Sequence, residues 1–249
     1  MSDALNKINQ RDRSMNLMRF KSTALAALLT LGAGLSHAGA TLLSEGFGDI
    51  STLAGAGWVQ TNNSSPLGST GWFQGNGFFV APSGTPNSYI AANFNNATPG
   101  GAISNWLMTP VVAIANGEQL HFALRTAGEG FLDTVQVYMS TSGASSNVGG
   151  TALSVGDFVL LDTFSSSQDN GWMNETVTVG GLGAGTTGRF AFRYVVGDTN
   201  VDGNYIGIDD VSITTRGTDL PEPASFALAA LAVGGLGLTR RRRQAAVAP

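Results

Sequence analysis

Apolar and polar residues alternate along several short runs in the second half of the chain. Within residues 118–125, Leu120, Phe122 and Leu124 fall on one face of an extended strand and polar side chains fall on the other. Three more runs repeat this pattern, at residues 135–139, 176–179 and 189–196, and residues 205–214 are predicted as a further strand. An alternation of period two is typical of antiparallel sheets with one face on the core and one in water.

The first half of the body has less regular patterning and many turn-forming residues. Glycine, asparagine, serine and proline cluster at residues 55–57, 62–66, 75–77 and 82–86, and no run keeps an apolar period of 3.6 for long. Short strands separated by such clusters predict an all-β sandwich or barrel. Residues 41–216 are long enough for one such domain with a sizeable core.

A charged and then apolar segment precedes this body. Arg19 and Lys21 lead into an apolar stretch at residues 22–35, and small residues follow, with Ala38 and Ala40 as candidate cleavage positions. This order predicts that residues 1–40 are a leader with a secretory signal helix, which signal peptidase removes during export.

The segment at residues 217–249 has a second set of sorting features. Residues Pro221, Glu222 and Pro223 stand before an apolar run at 224–238, which Arg240, Arg241, Arg242 and Arg243 follow. As a helix the run is about 22 Å long at ~1.5 Å per residue, against a hydrocarbon core of roughly 30 Å. It can anchor a chain only marginally, with the arginines in the cytoplasm and the body outside it.

These three blocks, in this order, resemble the PEP-CTERM sorting signal of Gram-negative bacteria. The resemblance implies a transient inner-membrane anchor through residues 224–238 and cleavage near Pro221, Glu222 and Pro223 by an exosortase. An uncut single-span anchor is the alternative. We expect an exported protein that passes through an inner-membrane intermediate and then reaches the cell surface or is secreted.

The formal charge of −4 conceals a strongly acidic body. Residues 41–219 contain fourteen carboxylates, four arginines and no lysine, a net charge of −10, because the other basic residues lie in the two terminal segments. A body of this charge repels phosphate backbones, so we expect no nucleic-acid partner. The absence of cysteine excludes disulfides and thiolate metal sites.

Few residues offer catalytic chemistry. After removal of the leader, His121 is the one histidine, and the alternation places it on the wet face of a strand. The sequence has no Gly-x-Ser-x-Gly motif and no tight carboxylate cluster, which argues against an enzyme. A secreted polysaccharide hydrolase is kept as an alternative, ranked below a non-catalytic matrix or envelope protein and a carbohydrate-binding module.

Oxygen-bearing side chains cluster between the last two predicted strands. Asp198, Asn200 and Asp202 occupy positions 1, 3 and 5 of an EF-hand-like count, Gly203 occupies position 6 and Asp209 position 12. The spacing is typical of a calcium loop, but position 12 lacks the usual glutamate and the flanks are strands. A hairpin loop that turns at its glycine is the alternative.

Four tryptophans anchor a body that is otherwise rich in small residues. Core packing is the simpler role for each of them. Trp72 is the exception we single out, because turn-forming residues surround it at 69–75. We predict that Trp72 is an exposed platform for a sugar ring.

Several short motifs follow one another along residues 42–215 like the landmarks of the choice-of-anchor J family. They are Glu45-Gly-Phe, Ser104-Asn-Trp-Leu-Met-Thr-Pro, Val137-Tyr-Met-Ser-Thr, Gly188-Arg-Phe-Ala-Phe-Arg-Tyr and Ile206-Gly-Ile-Asp-Asp-Val. That family is similar to the cleaved-adhesin and MAM-type jelly rolls. The resemblance therefore implies an antiparallel jelly-roll β-sandwich with a structural Ca²⁺ held by Glu45 and Asp209, with Asp49 as a helper.

Strand geometry decides between the two neighbouring aspartates. In a regular strand Asp209 and Asp210 point to opposite faces, so one ion cannot take both without a bulge. The same alternation groups Asp209 with Tyr205 and Val211, and Asp210 with Ile206. We predict that Asp209 is the ligand.

Together these features predict a non-catalytic, exported β-sandwich protein of the extracellular matrix or envelope. A carbohydrate-binding module or adhesin, with polysaccharide as its partner, is the second interpretation. The signal helix and the apolar sorting helix flank the sandwich in this account.

Overall fold

A computed structural model of the chain describes residues 39–217. The predicted signal helix and cleavage residue Ala38, and the tail with its Pro-Glu-Pro block and arginines, lie outside the described residues. The compact unit Ala38–Gly217 contains the whole sandwich. Within the described part, no helix is long and apolar enough to cross a membrane.

Thirteen strands and two short 3-10 helices make up the described residues. The strands are β1 (Thr41–Glu45), β2 (Val59–Asn62), β3 (Ser65–Leu67), β4 (Phe73–Gln74), β5 (Ile90–Asn93), β6 (Ala97–Met108), β7 (Val112–Ile114), β8 (Gln119–Thr126), β9 (Asp133–Ser140), β10 (Val159–Ser166), β11 (Met173–Thr178), β12 (Thr186–Val196) and β13 (Tyr205–Thr214). The 3-10 helices span Ile50–Thr52 and Phe94–Asn96. All five predicted strands are present, as β8, β9, β11, β12 and β13.

The strands form two antiparallel sheets with a jelly-roll order. We name as sheet A the order β11-β8-β13-β5-β4, with β1 also paired to β13. We name as sheet B the order β10-β9-β12-β6-β2, with β3 paired to β6 and β7 to β12. The nested pairing of β5 with β13 and of β6 with β12 is the jelly-roll winding. The predicted all-β antiparallel sandwich is confirmed.

The inner faces of the two sheets enclose one large apolar core. On β8 the alternating residues Leu120, Phe122 and Leu124 all belong to it, as the pattern predicts. The Phe122 ring packs edge-on against Phe192 of sheet B, with ring centroids 4.9 Å apart. Burying an aromatic side chain of this kind stabilises the fold by about 1.5–3 kcal/mol.

Long loops cover part of the outer face of each sheet. Residues 75–89 lie on sheet A, where Phe79 and Tyr89 pack with Tyr205. Residues 141–158 lie on sheet B, where Val148 and Phe158 pack with Trp106. Because both faces of β6 are covered near its end, its last six residues are all buried. Alternation therefore disappears from the longest strand of the fold.

Two buried arginines attach the loop at 141–158 to sheet B. Arg189 donates to the carbonyl oxygens of Thr109, Gly57 and Ala144. Arg193 donates to Ser104 Oγ and to the carbonyl oxygen of Ala152. All these acceptors are neutral. Desolvation lowers the pKa of Arg189.

Strand β13 is not regular. A bulge lies between Asp209 and Ser212 where β13 pairs with β8, and Asp210 has a φ of 49°. Beyond the bulge Val211 joins the core that Ile208 also lines, so the residue grouping predicted for a regular strand is wrong there. Asp209 is nevertheless buried and Asp210 is exposed.

Candidate functional site

Asp209 is a buried carboxylate with one unused oxygen. Its Oδ1 accepts the backbone N–H of Asp210 at 2.7 Å, whereas Oδ2 is buried and has no hydrogen-bond partner in the described structure. Burial raises the pKa of Asp209 to about 7, and the negative charges of Asp210 and Glu45 act in the same direction. A cation beside Asp209 would relieve both the unpaired oxygen and the repulsion.

The structure brings only two of the three predicted calcium ligands together. Glu45 lies near enough to Asp209 to influence its pKa, and its Oε1 accepts the N–H of Phe47 at 2.8 Å. Asp49 is exposed and caps the helix Ile50–Thr52, where its Oδ1 accepts the N–H of Ser51 at 2.9 Å. Hydrogen bonding by the Ser51 side chain, and secondly by its N–H, lowers the pKa of Asp49. Asp49 therefore acts as a helix cap.

The loop at residues 198–204 does not fold as an EF-hand loop. Asp198 Oδ1 accepts the N–H of Asn200 at 2.8 Å, and Asp202 Oδ1 accepts the N–H of Leu132 at 3.1 Å. These carboxylates are turned to backbone amides. Asp209 lies four residues into β13 from its start at Tyr205, about 13 Å along an extended strand. Among the described residues, Asp209 does not form a group of three possible metal ligands with these carboxylates.

The hairpin alternative for this loop is also incorrect, because β12 belongs to sheet B and β13 to sheet A. The loop crosses between the sheets. Gly203 has a φ of 84°, and a Cβ there would lie 2.8 Å from Val196 Cγ2. Within residues 39–217, no three His, Cys, Asp or Glu side chains come close enough together to hold a metal ion.

Asp133, which the sequence analysis did not single out, lies buried at the base of this loop. Its Oδ1 accepts Tyr194 Oη–H at 2.6 Å and the N–H of Asn204 at 2.7 Å. Its Oδ2 is buried without a partner in the described residues. Burial raises the pKa of Asp133 to about 6, against the lowering effect of its hydrogen bonds. The only sequence signal was an aspartate at the start of an apolar strand.

Trp72 does not present its ring to solvent. Its side chain is 7% exposed and belongs to the core between the sheets, and its Nε1 has no hydrogen-bond partner in the described structure. The turn residues around it are local loops over a buried anchor. The predicted sugar platform at Trp72 is therefore not available on the surface.

His121 lies on the outer face of sheet A, as alternation predicts. Its Nδ1 is 2.9 Å from Thr176 Oγ1, and its Nε2 is 3.4 Å from Thr214 Oγ1. Both partners are hydroxyl groups of neighbouring strands. His121 has the contacts of a sheet-surface residue, and the absence of catalysis remains a prediction.

A cleft of about 350 Å³ opens where the edge strands of the two sheets approach each other. We name it the edge cleft; it lies between β10 and β11, beside the end of β8. Apolar side chains of Leu124, Phe164 and Met173 line it, together with polar groups of Thr163, Ser165, Asn170 and Glu175. Its volume is at the lower end of the range for small-ligand sites.

The edge cleft exists because a charged residue interrupts the apolar residues on the inner face of β11. Met173, Glu175 and Val177 pair with Leu124, Phe122 and Leu120, so they share the inner side of sheet A. Val177 is core, but Glu175 brings a carboxylate where an apolar side chain would close the sandwich. Phe164 lies opposite and packs edge-on against Phe122, with ring centroids 5.4 Å apart. The result is an aromatic and apolar floor with a polar rim.

A second concavity of similar volume lies between β2, β3 and the loop at 141–158. Asparagine and serine side chains dominate it, and its apolar lining comes from Leu67 and Ala152, with no aromatic ring. A sugar ring stacks its C–H face on aromatic surface, so the edge cleft is the better candidate.

Comparison with known proteins supports the fold but not a family. No family model matches this chain, and no curated protein matches its sequence significantly. The K1 cleaved adhesin domain of Lys-gingipain from Porphyromonas gingivalis W83 is similar in structure, with a TM-score of 0.51 and 23% identity over 72% of this chain and all of that one. The K3 cleaved adhesin domain of the same protein has a TM-score of 0.48 and 20% identity over 71% of this chain and 98% of that one.

A carbohydrate-binding module also resembles this chain at a lower level. The family 11 module from Clostridium thermocellum, solved with a mixed-linked tetrasaccharide, has a TM-score of 0.44 and 11% identity over 73% of this chain and 98% of that one. At these identities the likeness concerns the fold alone. The chain has the β-sandwich fold of the cleaved adhesin domains.

Proposed function

We propose that this chain is an exported, non-catalytic binding protein that holds a polysaccharide in the edge cleft. The observation that carries the proposal is the cleft itself, in which Phe164, Leu124 and Met173 offer apolar surface beside hydroxyl, amide and carboxylate groups. Sugars combine an apolar C–H face with a rim of hydroxyls, and this lining is complementary to both. By binding such a polysaccharide, the protein would attach to the extracellular matrix or to the cell envelope.

Affinity electrophoresis in gels that contain soluble xylan, mixed-linkage glucan, galactan or chitosan tests this proposal. Retardation by at least one polymer is expected, and Met173→Ala should weaken it about tenfold, equivalent to ~1.4 kcal/mol. Leu153→Ala is the matched control, because Leu153 is 89% exposed and does not line the cleft. The proposal fails if no polymer retards the protein, or if both variants lose affinity equally.

We also propose that export depends on the two terminal segments. Signal peptidase would cut after Ala38 or Ala40, and an exosortase would cut near Pro221, Glu222 and Pro223. Ala40 favours the first position, because its N–H donates to Thr215 Oγ1 at 2.8 Å and its carbonyl accepts from the N–H of Thr215 at 2.9 Å. Cleavage after Ala38 keeps both bonds.

The intact mass of protein recovered from the producing cells tests both cleavages together. We expect a chain that begins at Gly39 and lacks Arg240, Arg241, Arg242 and Arg243. A surface population that retains the arginines would refute exosortase cleavage and favour the uncut anchor.

A structural calcium ion at Asp209 and Glu45 is a further part of the proposal. The unused, buried Oδ2 of Asp209 and the nearby Glu45 carboxylate supply two hard oxygen ligands, which calcium prefers. Backbone or water oxygens would complete the coordination. When bound, the ion would join the opening strand to the closing strand.

A further inference from the structure

The surface of the body has almost no positive charge to offer a ligand. Residues 39–217 hold thirteen carboxylates and four arginines, a net charge of −9, and no lysine. Arg189 and Arg193 are 9% and 5% exposed, and both donate to neutral oxygens of the protein. Neither can reach an external anion.

Arg125, the arginine closest in sequence to the edge cleft, is also occupied. Its Nε and Nη2 donate to the two carboxylate oxygens of Asp169 at 2.9 and 2.7 Å. The guanidinium also lies over the ring of Phe79, 4.3 Å from the centroid. Its charge is therefore neutralised and its orientation is fixed on both sides.

Arg216 is the remaining arginine of the described residues, and it lies at the opposite end of β8. It is exposed and adjoins Gly117, whose added Cβ would lie 2.8 Å from Arg216 Cδ. Seven residues separate Gly117 from Leu124 in the cleft, about 23 Å along an extended strand. That distance exceeds a Debye length of ~8 Å at physiological salt.

The charge within the edge cleft is negative. Glu175 lines it, and the one ion pair of residues 39–217 joins Arg125 to Asp169, so Glu175 has no cationic partner there. A ligand carboxylate, sulfate or phosphate in this cleft would meet Glu175 with nothing to compensate it. A ligand ammonium group would meet an available carboxylate beside an aromatic floor.

We propose that the edge cleft binds an amine-bearing polysaccharide, a polymer of hexosamine units with free amino groups, through Glu175. The inference rests on the proposed function and narrows its ligand class. Phe164 and Leu124 take the C–H face of the sugar ring, and the Glu175 carboxylate accepts from the ammonium group. Hydroxyl groups of the sugar bond to Asn170 on the rim.

Isothermal titration calorimetry with the full chain and three hexamers of matched length tests this proposal. The probes are β-1,4-linked glucosamine, its fully N-acetylated counterpart and galacturonic acid. We expect the glucosamine hexamer to bind about tenfold more tightly than the N-acetylated one, the size of a charge-assisted hydrogen bond. The galacturonic acid hexamer should not bind.

Two variants separate a contact in the cleft from general attraction to an acidic protein. Glu175→Gln should abolish the preference for the free amine and keep affinity for the N-acetylated hexamer. Asp162→Asn removes the same charge from an exposed residue of β10 that does not line the cleft, and should keep the preference.

The other outcomes overturn the inference in distinguishable ways. If the glucosamine hexamer and its N-acetylated counterpart bind equally, or if the two variants lose the same preference, Glu175 does not contact the amine. Polysaccharide binding as such would still stand. If the galacturonic acid hexamer binds more tightly than the glucosamine hexamer, the cleft selects negative rather than positive ligands and the proposal is wrong. If none of the three hexamers binds and no polymer retards the protein in gels, the proposed function fails as well.

Discussion

Replacing Asp133 with asparagine should change how stability depends on pH. Asp133 is fully buried, and its Oδ1 accepts from Tyr194 and Asn204, which an asparagine oxygen can also do. The substitution preserves the shape of the side chain and removes the charge. It therefore isolates the cost of burying one carboxylate.

The size and sign of the effect follow from the pKa of Asp133. The ordinary value of 3.8 holds in the unfolded chain, and burial raises it to about 6 in the folded protein. Between these pH values the folded state holds a proton that the unfolded state has released, so the free energy of unfolding falls as pH rises from 4 to 6. The difference corresponds to about 3 kcal/mol at pH 7.

Urea denaturation of the wild type and of Asp133→Asn at pH 4, 5, 6 and 7 measures this effect. Relative to the wild type, the variant should gain about 2.4 kcal/mol of unfolding free energy between pH 4 and pH 7, because part of the effect is already present at pH 4. Asp209, whose burial also raises its pKa, remains in both proteins, so its contribution cancels in the comparison.

A destabilising variant without a titrating group provides the control. Val135→Ala removes buried methyl groups two residues along the same strand and should lower stability equally at each pH. If the curve of Asp133→Asn also runs parallel to that of the wild type, the carboxylate is not buried as an anion and the reasoning is wrong.

Three further predictions concern the fold and the proposed calcium ion. Residues 41–219 alone should fold, with a circular dichroism spectrum dominated by strand; a helical spectrum would refute this. Calcium should raise the thermal midpoint relative to chelator, by about 2.7 kcal/mol of stability at a hundredfold excess over Kd. Asp209→Asn should lose more of that gain than Asp210→Asn, and an unchanged midpoint would exclude the ion. Arg193→Met should cost about 2–4 kcal/mol in urea denaturation, because buried acceptors lose their donor, whereas exposed Arg216→Met should cost little.

Local patterning was enough to predict the strands whose two faces differ in polarity. The run that became β12 alternates in sequence although both of its faces are buried, because its outer face carries Arg189 and Arg193 under the loop at 141–158. β6 escaped prediction because the loop at 141–158 packs on Trp106 and Met108 of its outer face, so apolar residues occupy both faces and no alternation remains to detect.

The candidate sites depended on contacts that spacing along the chain does not encode. The loop at 198–204 has calcium-like spacing, yet its carboxylates bond to backbone amides of the same loop and of a neighbouring segment. Asp209 was predicted to be the ligand on one face of a regular strand, but the bulge next to it decides its environment. Trp72 stands among turn residues and is still buried.

The edge cleft was not predictable because it joins residues from both sheets. Phe164 comes from β10 and Glu175 from β11, and neither stretch of sequence indicates a binding site by itself. The one sequence signal was the carboxylate at Glu175, which interrupts the apolar positions Met173 and Val177 of an edge strand. That Glu175 lines a cleft can be recognised only once the position of the opposing strand β10 is known.

An NMR titration of the protein with the glucosamine hexamer tests the central claim most directly, because it reports where a sugar binds as well as whether it does. We expect the backbone amide signals of residues 124–126, 163–166 and 170–175 to move together and to saturate. Shifts confined to residues 198–204 or 75–89, or no shifts at millimolar hexamer, would contradict a polysaccharide site in the edge cleft.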